Sequence, residues 1–127
     1  MRVLAIGVVV ALGAAGLALG AQAGLKRFAK ASASGDEAIV QAAGTAKHPH
    51  AVYVKVIAKP AQKASLAWSM VCATGGGAGS KSGHSAAISA PFTRQLKMPS
   101  RNSRNCQVQA NSQLSKSGRV TVMLLQR

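Results

Sequence analysis

Few residues in this 127-residue sequence have side chains suited to catalysis or metal binding. Three histidines, His48, His50 and His84, are the candidate metal ligands. His48 and His50 are two apart, so on an extended strand both side chains point the same way. A third nitrogen from His84 would complete a three-histidine set of the catalytic-zinc kind. The acids are Asp36 and Glu37, adjacent to each other and near none of the histidines in sequence. They provide neither the orienting carboxylate of a histidine-based hydrolase nor two carboxylates facing across a cleft for glycoside hydrolysis. Serines are plentiful, but no G-x-S-x-G elbow presents one as a nucleophile. Enzyme activity is not expected, and no cofactor is implied.

Cys72 and Cys106 are too far apart for C-x-x-C redox chemistry. In an exported chain, two cysteines most simply form one intramolecular disulfide; a free thiol pair or an intermolecular bridge are the alternatives. Closing a loop of about 35 residues would contribute about 4 kcal/mol in the chain-entropy model.

Export is read from the first 23 residues. Met1-Arg2 is followed by an apolar run from Val3 to Leu19 and by Ala21-Gln22-Ala23, the layout of a signal peptide cleaved after Ala23. Seventeen apolar residues also sit at the short end of a membrane span, so an uncleaved anchor is the competing form. The expected location is secreted or cell envelope. Residues 24–36, with Lys26, Arg27 and Lys30, read as a flexible basic leader, in which Leu25 and Phe28 define at most one amphipathic turn.

Sixteen lysines and arginines against two acids give a net charge of +14. Charge this strong acts through long-range fields on solubility and polyanion encounter. Because the basic residues are scattered along the chain, their placement in space decides between two meanings. One continuous basic face marks polyanion binding, whereas an even scatter marks a solvated surface. The candidate contact residues are Lys55, Lys59, Lys97, Arg101, Arg104 and Arg119.

The elements that must position these residues are strands. Residues 51–59 alternate, with Val52, Val54, Val56 and Ala58 on one side and Tyr53, Lys55, Ile57 and Lys59 on the other. Leu66, Trp68, Met70 and Cys72 share a face, as do Cys106, Val108 and Ala110, and Val120, Val122 and Leu124. Weaker strands are read at 38–43, 86–90 and around Leu96 and Met98. Residues 75–83, rich in glycine and serine, read as a flexible surface loop. Gly79-Ser80-Lys81-Ser82 lacks the adjacent Gly-Lys pair of a phosphate-binding loop. Six or seven short strands and no helix after residue 23 predict an all-β, small antiparallel sandwich over 37–127. Its core is expected to be built from Val, Leu, Ile, Ala and Met, because the chain holds one Trp, one Tyr and two Phe.

With Trp68 on a central strand and 106–110 followed by a turn and Val120-Thr121-Val122, the stretch from Val52 to Leu124 resembles an immunoglobulin-like or fibronectin type III sandwich. It departs from the immunoglobulin order, because Trp68 precedes Cys72 where that family places cysteine before tryptophan. The resemblance implies that a 72–106 bridge ties the end of a third strand to the start of a sixth, the two running antiparallel and adjacent.

The resulting expectation is a non-enzymatic exported binding or structural module that engages an anionic envelope polymer or membrane surface. With Tyr53 as the outward aromatic beside lysines, sequence-specific nucleic-acid binding is not expected. The alternatives are a secreted metal-binding or catalytic protein using His48, His50 and His84, and a membrane-anchored envelope subunit with a protein partner.

Overall fold

Period-two alternation of Val, Ala and Leu with polar residues dictates strands that bury one side each, and eight of them form among the described residues. The computed structural model describes residues 24–100 and 103–127, so the apolar N-terminal run and Arg101 lie outside the described residues. The strands are β1 Lys26–Gly35, β2 Ile39–Lys47, β3 Val52–Lys59, β4 Lys63–Thr74, β5 Gly77–Ser89, β6 Phe92–Leu96, β7 Asn105–Gln113 and β8 Gly118–Gln126. They make two four-stranded antiparallel sheets, ordered β1-β8-β3-β6 and β2-β7-β4-β5. The all-β antiparallel sandwich read from the alternation is the fold observed.

The connectivity differs from the immunoglobulin resemblance. Successive strands cross repeatedly between the sheets, and each sheet interleaves early and late strands, the eight-stranded arrangement of a jelly roll. Immunoglobulin sandwiches instead keep strands A, B, E and D together in one sheet.

Two further expectations are corrected. The leader at 24–36 contains β1, which pairs with β8 from Lys26↔Gln126 to Gly35↔Gly118. Ala29, Ala31 and Ala33 pack against the core from this strand. Their small side chains hide the alternation, because Ala contributes little apolar contrast against Ser and Lys. The supposed loop at 75–83 is a hairpin: β4 turns through Gly75 and Gly76 into β5, which pairs with β4 along 77–89. Gly83 is small for a steric reason. A Cβ there would stand 2.8 Å from Trp68 Nε1, so glycine lets the indole lie across the edge strand.

The core between the sheets is aliphatic. Val52, Val54 and Val56 of β3, with Val120, Val122 and Leu124 beside them on β8, face Leu66 and Met70 of β4 and Val108 of β7, all fully or almost fully buried. Among the described residues isoleucine, expected there, does not enter the buried core: Ile39 is 63% exposed. Trp68 is half-buried and packs against this core from its rim. Cys72 and Cys106 form a disulfide, and they are direct register partners on adjacent strands β4 and β7 with Cα atoms 4.0 Å apart. The bridge therefore lies within one sheet and between adjacent antiparallel strands, as the resemblance implied.

The edge strands β5 and β6 carry a safeguard against edge-to-edge pairing. Lys81 is in register with Met70, and Arg94 with Val54, so both charges take inward-facing positions on exposed edges. Inward-pointing charge on an edge opposes the docking of another strand.

Candidate functional site: two outer faces of opposite character

The sandwich has two outward faces, and alternation assigns residues to each. On the first sheet, cross-strand register builds four rows. They run Arg27–Leu125–Tyr53–Gln95, Lys30–Met123–Lys55–Thr93, Ser32–Thr121–Ile57 and Ser34–Arg119–Lys59. Five cations thus project from one face, with Arg119 and Lys59 directly opposite each other. Like charges placed opposite on neighbouring strands are destabilising. Both acids of the chain sit in the turn between β1 and β2, where Ser117 Oγ donates to Asp36 Oδ1 at 3.1 Å. The cations of this face are therefore not neutralised by neighbours on it.

A depression of about 290 Å³ runs between these side chains, lined by Lys30, Ser32, Ile57, Lys59, Arg119 and Thr121 with Met123. Ser32 and Thr121 hydroxyls lie 2.9 Å apart on its floor. At the far end the Arg127 guanidinium stands 5.6 Å from the Tyr53 ring centroid, a cation–π contact that adds a sixth positive group.

Of the sequence-predicted contact residues, Lys55, Lys59 and Arg119 are brought together on this face. Lys97 follows β6 at the end of the same sheet. Arg104 does not join them. It precedes β7 in the other sheet, where its carbonyl accepts a hydrogen bond from His48 N and its own amide donates to Ala73 O. Arg101 is outside the described residues. Arg27, Lys30 and Arg127 were missed. The first two were hidden in the supposed leader, although a strand pairing for 26–35 would have placed them at once.

The three histidines are not assembled. His48, at a positive φ of 47°, and His50 lie in the link from β2 to β3, where His50 N donates to Arg127 O. His84 sits on edge strand β5 in register with Ala67. Among the described residues no group of three or more His, Cys, Asp or Glu is arranged to hold a metal ion. The metal-site alternative is corrected on that ground: sequence proximity paired two histidines, but the sheet order carries the third to the opposite edge.

The outer face of the second sheet has the opposite character. Its rows are Thr45–Gln107–Val71–Ser80, Ala43–Gln109–Ser69–Ser82 and Gln41–Asn111–Ala67–His84. No Lys, Arg, Asp or Glu occurs in these rows; Lys47 and Lys63 mark only the ends of β2 and β4. The alternation of 106–111 puts Gln107, Gln109 and Asn111 on one side of a strand, but the residues that flank them come from three distant segments, β2, β4 and β5, and only the sheet order brings them together.

No protein-family model matches the chain, and no curated protein matches it significantly. Among solved structures it is similar to PirA, at 10% identity over 80% of this chain and 95% of that one, with a TM-score of 0.42. It is also similar to the Yersinia pseudotuberculosis-derived mitogen, at 10% identity over 81% of this chain and 86% of that one, with a TM-score of 0.44. A further similar structure is TmCBM61 in complex with β-1,4-galactotriose, at 8% identity over 78% of this chain and 70% of that one, with a TM-score of 0.40.

Proposed function

We propose that this protein is a non-enzymatic, exported binding module that holds an anionic polymer or membrane surface through the outer face of its first sheet. The observation that supports the reading is the row pattern of Arg27, Lys30, Lys55, Lys59 and Arg119, five cations on one four-stranded face without an acid among them. A solvated surface would have no need to set Arg119 directly against Lys59. An extended polyanion lying across the strands offsets that repulsion and gains from every cation it meets. The shallow depression beside Lys59 and Arg119 suits single phosphate, sulfate or carboxylate groups repeated along a chain or a headgroup layer.

The reading is tested by vesicle sedimentation with phosphatidylglycerol and with phosphatidylcholine. Binding to the anionic vesicles at low salt is expected to weaken strongly as ionic strength rises and the Debye length falls to about 10 Å at 0.1 M. Equal binding to both vesicle types, or no binding to the anionic ones at low salt, overturns it.

A further inference from the structure

The uncharged outer face of the second sheet has an architecture that the basic face does not explain. Gln107, Gln109, Asn111 and Gln113 follow one another at every second position of β7, an inner strand of its sheet. Same-face neighbours along a strand are about 7 Å apart, so the four amides form a ridge along the middle of the face. Small residues flank it on the same face: Ala43 on β2, and Ala67 and Ser69 on β4. Large residues beside small ones leave troughs. One, of about 380 Å³, is lined by Ala43, Gly44, Thr45, Ser69 and Val71 with Gln107 and Gln109. A second, of about 200 Å³, adjoins it, sharing Ser69 and Gln109 and reaching Asn111.

Asn111 lines the second trough, and its Oδ1, buried beneath the surface, accepts no hydrogen bond. A buried acceptor without a donor is rare in folded proteins and calls for an explanation. The amide can donate from its NH₂ and accept at its oxygen at the same time.

We infer that this face is a second binding site, for a neutral polysaccharide whose hydroxyls donate to and accept from the Gln107–Gln109–Asn111 ridge. The chemistry excludes the competing occupants in turn. A polyanion finds no positive charge within these rows. A nucleic-acid base finds no outward aromatic platform on which to stack, since Trp68, which borders the second trough, packs its ring against the core. A second copy of this chain, itself carrying +14, would have to desolvate the amide ridge across a face whose central apolar side chain is Val71, 51% exposed. Interface cores are built instead from apolar and aromatic residues. A sugar ring carries alternating donors and acceptors at adaptable angles, which suits the exposed amides of Gln107 and Gln109, each able to donate and accept at once.

The test is an NMR titration of the whole folded protein with cellohexaose, mannohexaose and chitohexaose, run in ~0.5 M NaCl, where the Debye length is only about 4 Å and the basic face is screened. At least one sugar is expected to shift the amide and side-chain resonances of Thr45, Ser69, Gln107, Gln109 and Asn111. Gln109→Ala should weaken that sugar at least tenfold. Gln109→Arg, an exposed change that folding tolerates, should abolish binding, while K55Q/K59Q/R119Q leaves it unchanged. The inference is overturned if no sugar moves these resonances, if shifts fall elsewhere, or if they follow protein concentration without sugar, which would make the face a contact between copies.

Discussion

Replacing Lys55, Lys59 and Arg119 with glutamine removes three of the cations on the outer face of the first sheet without touching its buried side. All three side chains alternate outward, opposite Val54, Val56 and Val120 in the core, so stability should change little. Each basic residue near an anionic membrane contributes about 1 kcal/mol to binding. Loss of three therefore weakens binding by about 3 kcal/mol, more than a hundredfold at about 1.4 kcal/mol per tenfold change. The matched control is K47Q/K63Q/K81Q, which lowers net charge by the same amount on strands of the second sheet. At 0.1 M salt, screening over about 10 Å confines each charge to its own face. The control should therefore bind anionic vesicles within a few-fold of the unaltered protein. Sedimentation with vesicles of increasing phosphatidylserine content measures both variants. Equal losses in the two would mean that net charge alone attracts the membrane, and the facial reading would fail.

Other consequences concern the scaffold. Reducing the Cys72–Cys106 bridge should lower unfolding free energy by about 4 kcal/mol, the loop-closure entropy of some 35 residues; urea melts with and without reductant measure it, and a change below about 1 kcal/mol would count against that account. Ala31→Glu, a position that faces the core from β1, should cost at least about 2 kcal/mol by burying an unpaired charge; a melting temperature unmoved by this change would restore the flexible leader. Gly118→Ala should destabilise by about 1–3 kcal/mol, since its φ of 157° disfavours a side chain and a Cβ would meet Lys59 O at 2.6 Å, backbone that cannot yield. Replacing both Lys81 and Arg94 with valine should leave the fold intact but promote association through the β5 and β6 edges, visible as concentration-dependent light scattering.

Much of the architecture was legible in the chain because alternation is a local signal. Residues 52–59 and 118–126 bear β-branched or aliphatic residues at every second position, so their strands, buried faces and outward lysines follow from period two alone. The cysteine pair was legible for the same reason: each falls on the buried side of an alternating stretch. The signal failed where side chains are small. In β1, Ala alternates with Ser and Lys, and in β5, Gly with Ser, so hydrophobic contrast vanishes and only pairing with β8 or β4 makes these segments strands. Glycine density looked like flexibility at 77–83, whereas Gly83 leaves room for the Trp68 indole.

By itself, the order of residues determined an all-β, strongly basic, disulfide-bearing chain with an aliphatic core. Those properties depend on composition and on neighbours two positions apart. Only the tertiary structure decided which strands share a sheet, and therefore which outward residues meet. Strand order brings Lys30, Lys55, Lys59 and Arg119 from three distant segments onto one face. It sends His84 to an edge away from His48 and His50. It collects Gln41, Gln107, Ser69 and Ser82 from four segments into a charge-free surface. A face of a sheet is a property of non-local pairing, and no period along one strand encodes who its neighbour will be.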